Sequence, residues 1–469
     1  MDKTTRTTLA ALALPAVMIG TDFTGAMALV VLMEKEYGVD ISTTQWVLNA
    51  YALTFAMVMV AGGRLGDIVG RRRLLFAGLG IFLVSSFACT VAPSMTLLIV
   101  ARAAQGIGSA LAWPSILAMA ATAGRDDQRG KTVSLILAAI TTGNVLGPII
   151  AGTVAGFGLW RPFFAVNLGL AVASVAVVWW LLPKQPRGSK ERVDFAGMAV
   201  LSLAVFGLMF ALDIGADWGW TSVRTLALLA ACIALFAIFV PVEARVRDPM
   251  VPPAMLRDRA FMLALATNGF VIPTIFLMFL YVPQYLNKGL GWSPSAASFG
   301  TFPMYIASVL TTLATSWLYS TIGARRLLIG GHLLAFAAGV WMVFGLSPSL
   351  GYAAIIIPAM AATIGVGVII PAAGTLAVNA AGGEHAGLAG GLSFMVHLTV
   401  GALGVAGATA IMMGLGAGSE SVTSTAFAEG LRSAFQVGLI LAIGGLVVAW
   451  LIEDDRQASP AGTPGKSGG

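Results

Sequence analysis

The sequence predicts an all-α membrane protein of fourteen transmembrane helices, arranged as two six-helix pseudo-repeats plus an inserted central helix pair. Three observations carry that prediction. The 469 residues are 58% hydrophobic and only 10% charged, against roughly 25% charged in soluble domains, which leaves too few charges to coat a globule. Apolar runs long enough to cross the ~30 Å hydrocarbon layer recur along the chain. Finally, GRRRLLFAG from Gly70 returns as GARRLLIGG from Gly323, with six identities at an offset of 253.

The first span, 9–33, is too long for a signal-peptide core and runs into Glu34, Lys35 and Glu36 without a small-residue cleavage pattern, so it is a retained helix. Spans 44–62 and 74–92 flank the charged stretch 63–73, which reads as a turn. The break at Pro93 separates off 95–121, a charged break at 125–131 precedes 132–156, and Arg161 introduces 162–182. These six helices make an N-terminal bundle, 1–182. Spans 195–212 and 223–241 form the inserted pair, within 183–259, between charged connectors bearing Pro183, Pro186, Pro249, Pro252 and Pro253. The C-terminal bundle, 260–452, takes 261–286, 296–319, 327–346, 352–378, 387–413 and 431–451. Residues 453–469 are poor in apolar side chains and read as a disordered cytoplasmic tail.

An even number of spans puts both termini on one side, and the basic residues say which. With the termini cytoplasmic, 21 of the 27 lysines and arginines fall inside; only Lys35, Arg161, Arg224, Lys288 and Arg432 fall outside, and Arg102 lies within a helix. The basic excess is therefore a topology signal of a multi-pass cell-membrane protein, and no nucleic-acid partner is expected. Cys89 and Cys232 sit in apolar spans as packing residues. The few histidines and cysteines are scattered without metal-ligand spacing, which argues against a metal site and a membrane enzyme. No glycine-rich loop ending in Gly-Lys-Ser/Thr supports ATP drive. No cofactor is expected, and the protein is expected to be a monomer.

Of the 21 Asp and Glu residues, Asp22 alone lies near the middle of a predicted span. An ionisable group at bilayer depth is costly and a functional candidate by default, as a proton carrier; the bland alternative is a carboxylate permanently paired for packing. Arg102, in the outer half of its helix, is the matching cation, either opposed to Asp22 or snorkelling to the outer interface. Small residues at Gly143, Gly147, Ala151, Gly152 and Gly156 allow close helix approach, and Pro148 favours a bend. In the 63–73 stretch, Gly63 and Gly70 permit a tight turn while Asp67 can cap the positive end of a neighbouring helix; a merely solvated loop is the alternative. Asn49, Gln105, Trp113, Asn144, Asn268 and His397 are candidate lining residues of a substrate cavity, with Trp46, Phe270 and Phe276 as further aromatic wall.

Parallel six-helix repeats with a binding site between them are one transporter plan. The motifs go further. Gly63, Leu65, Asp67, Gly70, Arg71 and Arg72 match the signature cytoplasmic loop of the major facilitator superfamily, departing at Ile68, where a basic residue is usual. RAAQGIGSA around Arg102 and Gln105 resembles the fourth-helix motif, and GNVLGPIIAG (Gly143, Gly147, Pro148, Gly152) the fifth-helix antiporter motif. WRPFFAVN, DWGW and the 386–404 segment resemble the fourteen-span drug:proton antiporter branch, as does TDFT around Asp22, although Met27 and Val31 replace the branch's polar and proline positions. The resemblance covers nearly the whole chain. It implies the major facilitator fold and a proton-driven exporter of amphipathic small molecules such as drugs, working by alternating access in the lipid bilayer. It also implies that Asp22 and Arg102 couple protons, and that Gly63, Asp67, Gly70, Arg71 and Arg72 form a conformational latch. A proton-coupled importer of a nutrient on the same fold is the alternative.

Overall fold

The structure, a computed structural model, describes every residue except 40, 126–127, 184–193, 244, 247–248, 250, 347–350, 383–384, 415–423 and 454–469. Residues 454–469 of the tail and 184–193 of the first connector of the inserted pair fall outside the described residues. Among the described residues all regular structure is helical. The long helices are α1 (Lys3–Gly25), α2 (Ile41–Val69), α3 (Arg71–Val91), α4 (Met95–Ala121), α5 (Arg129–Gly156), α6 (Arg161–Leu181) and α7 (Phe195–Trp218). They continue as α8 (Val223–Glu243), α9 (Arg259–Gln284), α10 (Phe302–Ile322), α11 (Ala324–Phe344), α12 (Ala353–Ala381), α13 (Ala386–Gly414) and α14 (Ser424–Trp450). Twelve are long and apolar enough to cross a membrane, while α7 and α10 carry shorter apolar segments, Ala196–Leu212 and Phe302–Thr315.

Two departures from the predicted boundaries matter for function. Helix α1 starts at Lys3 rather than residue 9 because Asp2 caps it, accepting from the Thr5 N–H at 2.7 Å. Its α-helical part ends at Gly25, and a 3-10 turn at Ala26–Leu29 and a short helix at Val30–Tyr37 carry the chain on. The break falls where α1 passes Phe163 of α6 and the Gly147 carbonyl of α5; a Cβ on Gly25 would lie 2.5 and 2.8 Å from them.

The stretch 63–73 is almost entirely helix. The chain reverses at Gly70 alone, with φ +107°, and Gly323 makes the same reversal between α10 and α11 with φ +89°. Both are conformations that side chains disfavour, so the sequence repeat is one backbone device used twice. Gly63, expected to help the turn, instead lies inside α2. A glycine costs a helix only about 1 kcal/mol, and its bare Cα lets α13 approach.

Within the first half α5 packs on α1, and α4 on α2 and α3; within the second, α12 packs on α9, α10 and α11, and α14 on α11. The halves meet through α2 with α13 and α5 with α10. Helix α7 packs against α8, α2 and α13, with Ser202 Oγ donating to the Met57 carbonyl at 2.8 Å. The α1–α5 seam is built on glycines. A Cβ on Gly143 would fall on the Val17 carbonyl, and one on Gly147 within 2.8 Å of the Gly25 nitrogen. Gly152 is a correction: a Cβ there would meet nothing within 4 Å. Nine residues at 100° each place it on the face opposite Gly143.

Candidate functional site

Asp22 sits on the last turn of α1 and Arg102 two turns into α4, 0% and 1% exposed. The Arg102 Nη1 donates to Asp22 Oδ2 at 2.6 Å and to Gln105 Oε1 at 2.7 Å, and Nε donates to the Val47 carbonyl at 3.0 Å. The guanidinium lies 4.3 Å from the Tyr51 ring centre, close enough for cation–π attraction. On the far side Asn167 of α6 donates to Asp22 Oδ1 at 3.1 Å. Gln105 passes the network on, donating to Ser86 Oγ at 2.9 Å. Five helices thus close on one ion pair, and the guanidinium ends at Asp22, not at the outer interface. Gln105 is accordingly corrected from a cavity residue to a member of this network: three residues after Arg102 it shares the same helix face. Asn167, Tyr51 and Ser86 were missed as site residues. Asn167 gave a signal, as an asparagine inside an apolar span; Ser86 gave none.

A second constellation lies where α2, α4 and α13 converge. Asp67 accepts from Arg71 Nε at 3.1 Å, and Arg71 Nη1 donates to the Ala118 carbonyl at 3.4 Å. A Cβ on Gly387, in the first turn of α13, would lie 3.3 Å from Asp67 Oδ1, so the carboxylate abuts a helix N-terminus, where its charge is favourable. The backbones touch nearby: a Cβ on Gly63 would be 2.8 Å from the Gly387 carbonyl, and one on Gly391 3.1 Å from that of Met59. Arg72 does not join. Its guanidinium lies 5.1 Å from the Phe76 ring centre, and Nη2 donates to the Trp179 carbonyl of α6 at 3.5 Å. One residue after Arg71, it is turned 100° around α3, so its expected latch role is withdrawn.

At the centre, Phe394 of α13 gathers side chains from both halves. His397 stacks on it with ring centres 5.1 Å apart and planes at 3°, and Phe55 and Trp113 lie at 5.3 and 5.6 Å. Phe276 closes on His397 at 5.7 Å, and Asn268 donates to the Ser393 carbonyl at 3.5 Å. Trp113, Asn268 and His397 therefore converge, whereas the remaining cavity candidates do not. Asn144 is partly exposed beside Gly20 in the α1–α5 seam, a Cβ on Gly20 falling 3.1 Å from its Oδ1. Asn49 is partly exposed on α2. Trp46 packs on Phe210 of α7, and Phe270 against Gly444. No group of three or more potential metal-ligating side chains occurs among the described residues.

The Major Facilitator Superfamily sequence model matches residues 12–405. The MFS-type transporter EfpA of Mycobacterium tuberculosis is 29% identical over 378 residues, 80% of this chain and 71% of EfpA. Multidrug resistance protein Stp of the same organism is 28% identical over 393 residues, 84% of this chain and 73% of Stp. The crystal structure of the human organic anion transporter MFSD10 (TETRAN) superposes over 94% of this chain and all of that one, with TM-score 0.64 and 14% identity, which marks a shared fold.

Proposed function

Since the chain belongs to the Major Facilitator Superfamily of multi-pass membrane transporters, we propose that it is a proton-coupled exporter of amphipathic small molecules, drugs or antibiotics among them. The observation that carries the coupling is the buried Asp22–Arg102 pair, in a chain whose relatives include a multidrug resistance protein. Fourteen helices cross the cell membrane with both termini in the cytoplasm, as two six-helix bundles with α7 and α8 attached beside α2 and α13, and the unit is a monomer. Substrate enters between the bundles, against the side chains gathered on Phe394. The halves rock about the α2–α13 seam, which Asp67 and Arg71 hold shut in this state.

Protonation of Asp22 removes the charge that holds Arg102, and Asn167 and Gln105 remain to bond the released groups. The return of the proton drives the cycle, one charge through 100 mV contributing about 2.3 kcal/mol; no cofactor takes part. The test is transport in inverted vesicles with a panel of compounds varied in charge. Accumulation inside the vesicles under an inward-acid gradient, collapsing with a protonophore, is the expected result. Accumulation that ignores the gradient, or movement in the opposite direction, refutes the proposal.

A further inference from the structure

The WRPFFAVN stretch serves the proton pair through Asn167, and its aromatic residues have other work. Trp160, Phe163 and Phe164 are at most 1% exposed. They pack with Leu29, Met33 and Leu98 into an apolar cluster at the end of the first bundle opposite the Gly70 turn, the outer end in the proposed orientation. The cluster bears on the ion-pair network at three points. The Arg102 guanidinium lies 5.8 Å from the Phe164 ring centre, and Val47, a member, accepts from Arg102 Nε through its carbonyl. Cys89, another member, has Sγ 3.8 Å from Gln105 Oε1. From Asp22 to Met33 the chain covers about 16 Å. Beyond the cluster a polar clasp ties the short helix Val30–Tyr37 to α6. Glu36 accepts from Trp160 Nε1 and Arg161 Nη1, while Arg161 Nη2 donates to the Ala92 carbonyl at 2.9 Å. On its other side the ion pair faces the meeting of the bundles: Tyr51, against Arg102, touches Phe55, which touches Phe394 of α13, with ring centres 5.5 and 5.3 Å apart.

On the reading that Asp22 carries the proton, we propose that this cluster is a standing proton seal, held by the Glu36–Arg161 clasp. It bars Asp22 from the outer water, so the acid exchanges protons only with the space between the bundles. Among the described residues every member of the cluster, and of the clasp, belongs to the first bundle. Rocking of the halves against each other therefore leaves the seal closed. An apolar constriction stays dry, which denies protons the water chain they need. Coupling depends on this one-sided access. An acid reachable from outside while the halves open inward would pass protons without cargo.

Removal of the second thiol by Cys232→Ala makes the buried Cys89 a reporter of the seal. In proteoliposomes of the full chain, Cys89 should resist a charged methanethiosulfonate reagent, as read by intact mass. Arg161→Gln should speed its labelling about fivefold; Arg161 is 37% exposed, so its loss leaves the fold standing. Phe164→Ala should speed labelling about tenfold or more. Asp67→Asn, which loosens the α2–α13 seam, should leave labelling unchanged. With an acid exterior and no substrate, Arg161→Gln should also admit protons about fivefold faster to an internal pH dye, and adding Asp22→Asn should abolish the excess. Labelling unchanged by both Arg161→Gln and Phe164→Ala, or raised by Asp67→Asn, overturns the seal itself. Faster labelling without an Asp22-dependent leak overturns the proposal by another route, since Asp22 is then not the proton carrier.

Discussion

Cutting the buried ion pair from each side, and then from both, separates its structural from its transport role. Asp22→Asn keeps the shape of the side chain but leaves Arg102 charged, 1% exposed, with Gln105, the Val47 carbonyl and the Tyr51 ring as its remaining partners. Arg102→Gln leaves the fully buried Asp22 without its cationic partner, with the neutral Asn167 still donating to it. Breaking a buried pair from one side costs about 3–5 kcal/mol, because an uncompensated charge remains. The double variant Asp22→Asn/Arg102→Gln removes both charges and should recover most of that loss, so the expected coupling energy exceeds the roughly 3 kcal/mol lost by either single variant. Denaturant unfolding of the four proteins in detergent measures it. Gradient-driven efflux in inverted vesicles should be abolished in the double variant even though it is stable. A double variant as unstable as the sum of the singles would refute the energetic argument. Gradient-driven efflux that survives in it would remove Asp22 from proton coupling.

Substitutions elsewhere give sharp contrasts. Gly143→Leu should abolish recovery of monodisperse protein on size exclusion, since its Cβ falls on the Val17 carbonyl. Gly152→Ala, facing open space, should leave the elution profile unchanged and stabilise α5 by up to about 1 kcal/mol. Asp67→Asn should weaken the α2–α13 closure by up to about 2 kcal/mol, the upper range for a charge at a helix end; spin labels at Ala123 and Ala381 would then report a larger population of long distances. His332 is 0% exposed against Gly445, and among the described residues neither ring nitrogen has a hydrogen-bond partner. His332→Leu should therefore stabilise by about 1–3 kcal/mol, and a lower unfolding midpoint would show that the imidazole has a partner after all.

Much of the fold was legible because its signals are local. A span is recognised by some twenty consecutive apolar residues, and the reversals at Gly70 and Gly323 by a glycine before a basic pair in two matching stretches. Ends were less legible: nothing in the hydropathy of residues 3–8 announces a helix, and only the Asp2 cap explains why α1 begins there. The site was legible in part. Asp22 and Arg102 stood out because charge inside an apolar span is rare. Arg71 and Arg72, adjacent and chemically alike, looked equivalent until the 100° turn between them sent one to Asp67 and the other to Phe76. Gly63 and Gly152 were misassigned for a related reason. A glycine marks either a turn, a close approach or nothing, and the sequence does not say which helix passes it.

The sequence by itself determined that the chain lives in a membrane, where its helices lie, that its two halves share a plan, and which few side chains are out of place in oil. Each depends on residues close together in the chain, acting through bilayer thickness, charge and backbone freedom. The tertiary structure alone decided that Asp22 meets Arg102 across 80 residues and Asn167 across 145, that Gln105 serves that pair, and that α13 brings Phe394 and Gly387 against the other half. Such contacts arise from the packing of helices on one another, and in a lipid-like interior, where every helix is apolar all round, the apolar pattern does not say which faces meet.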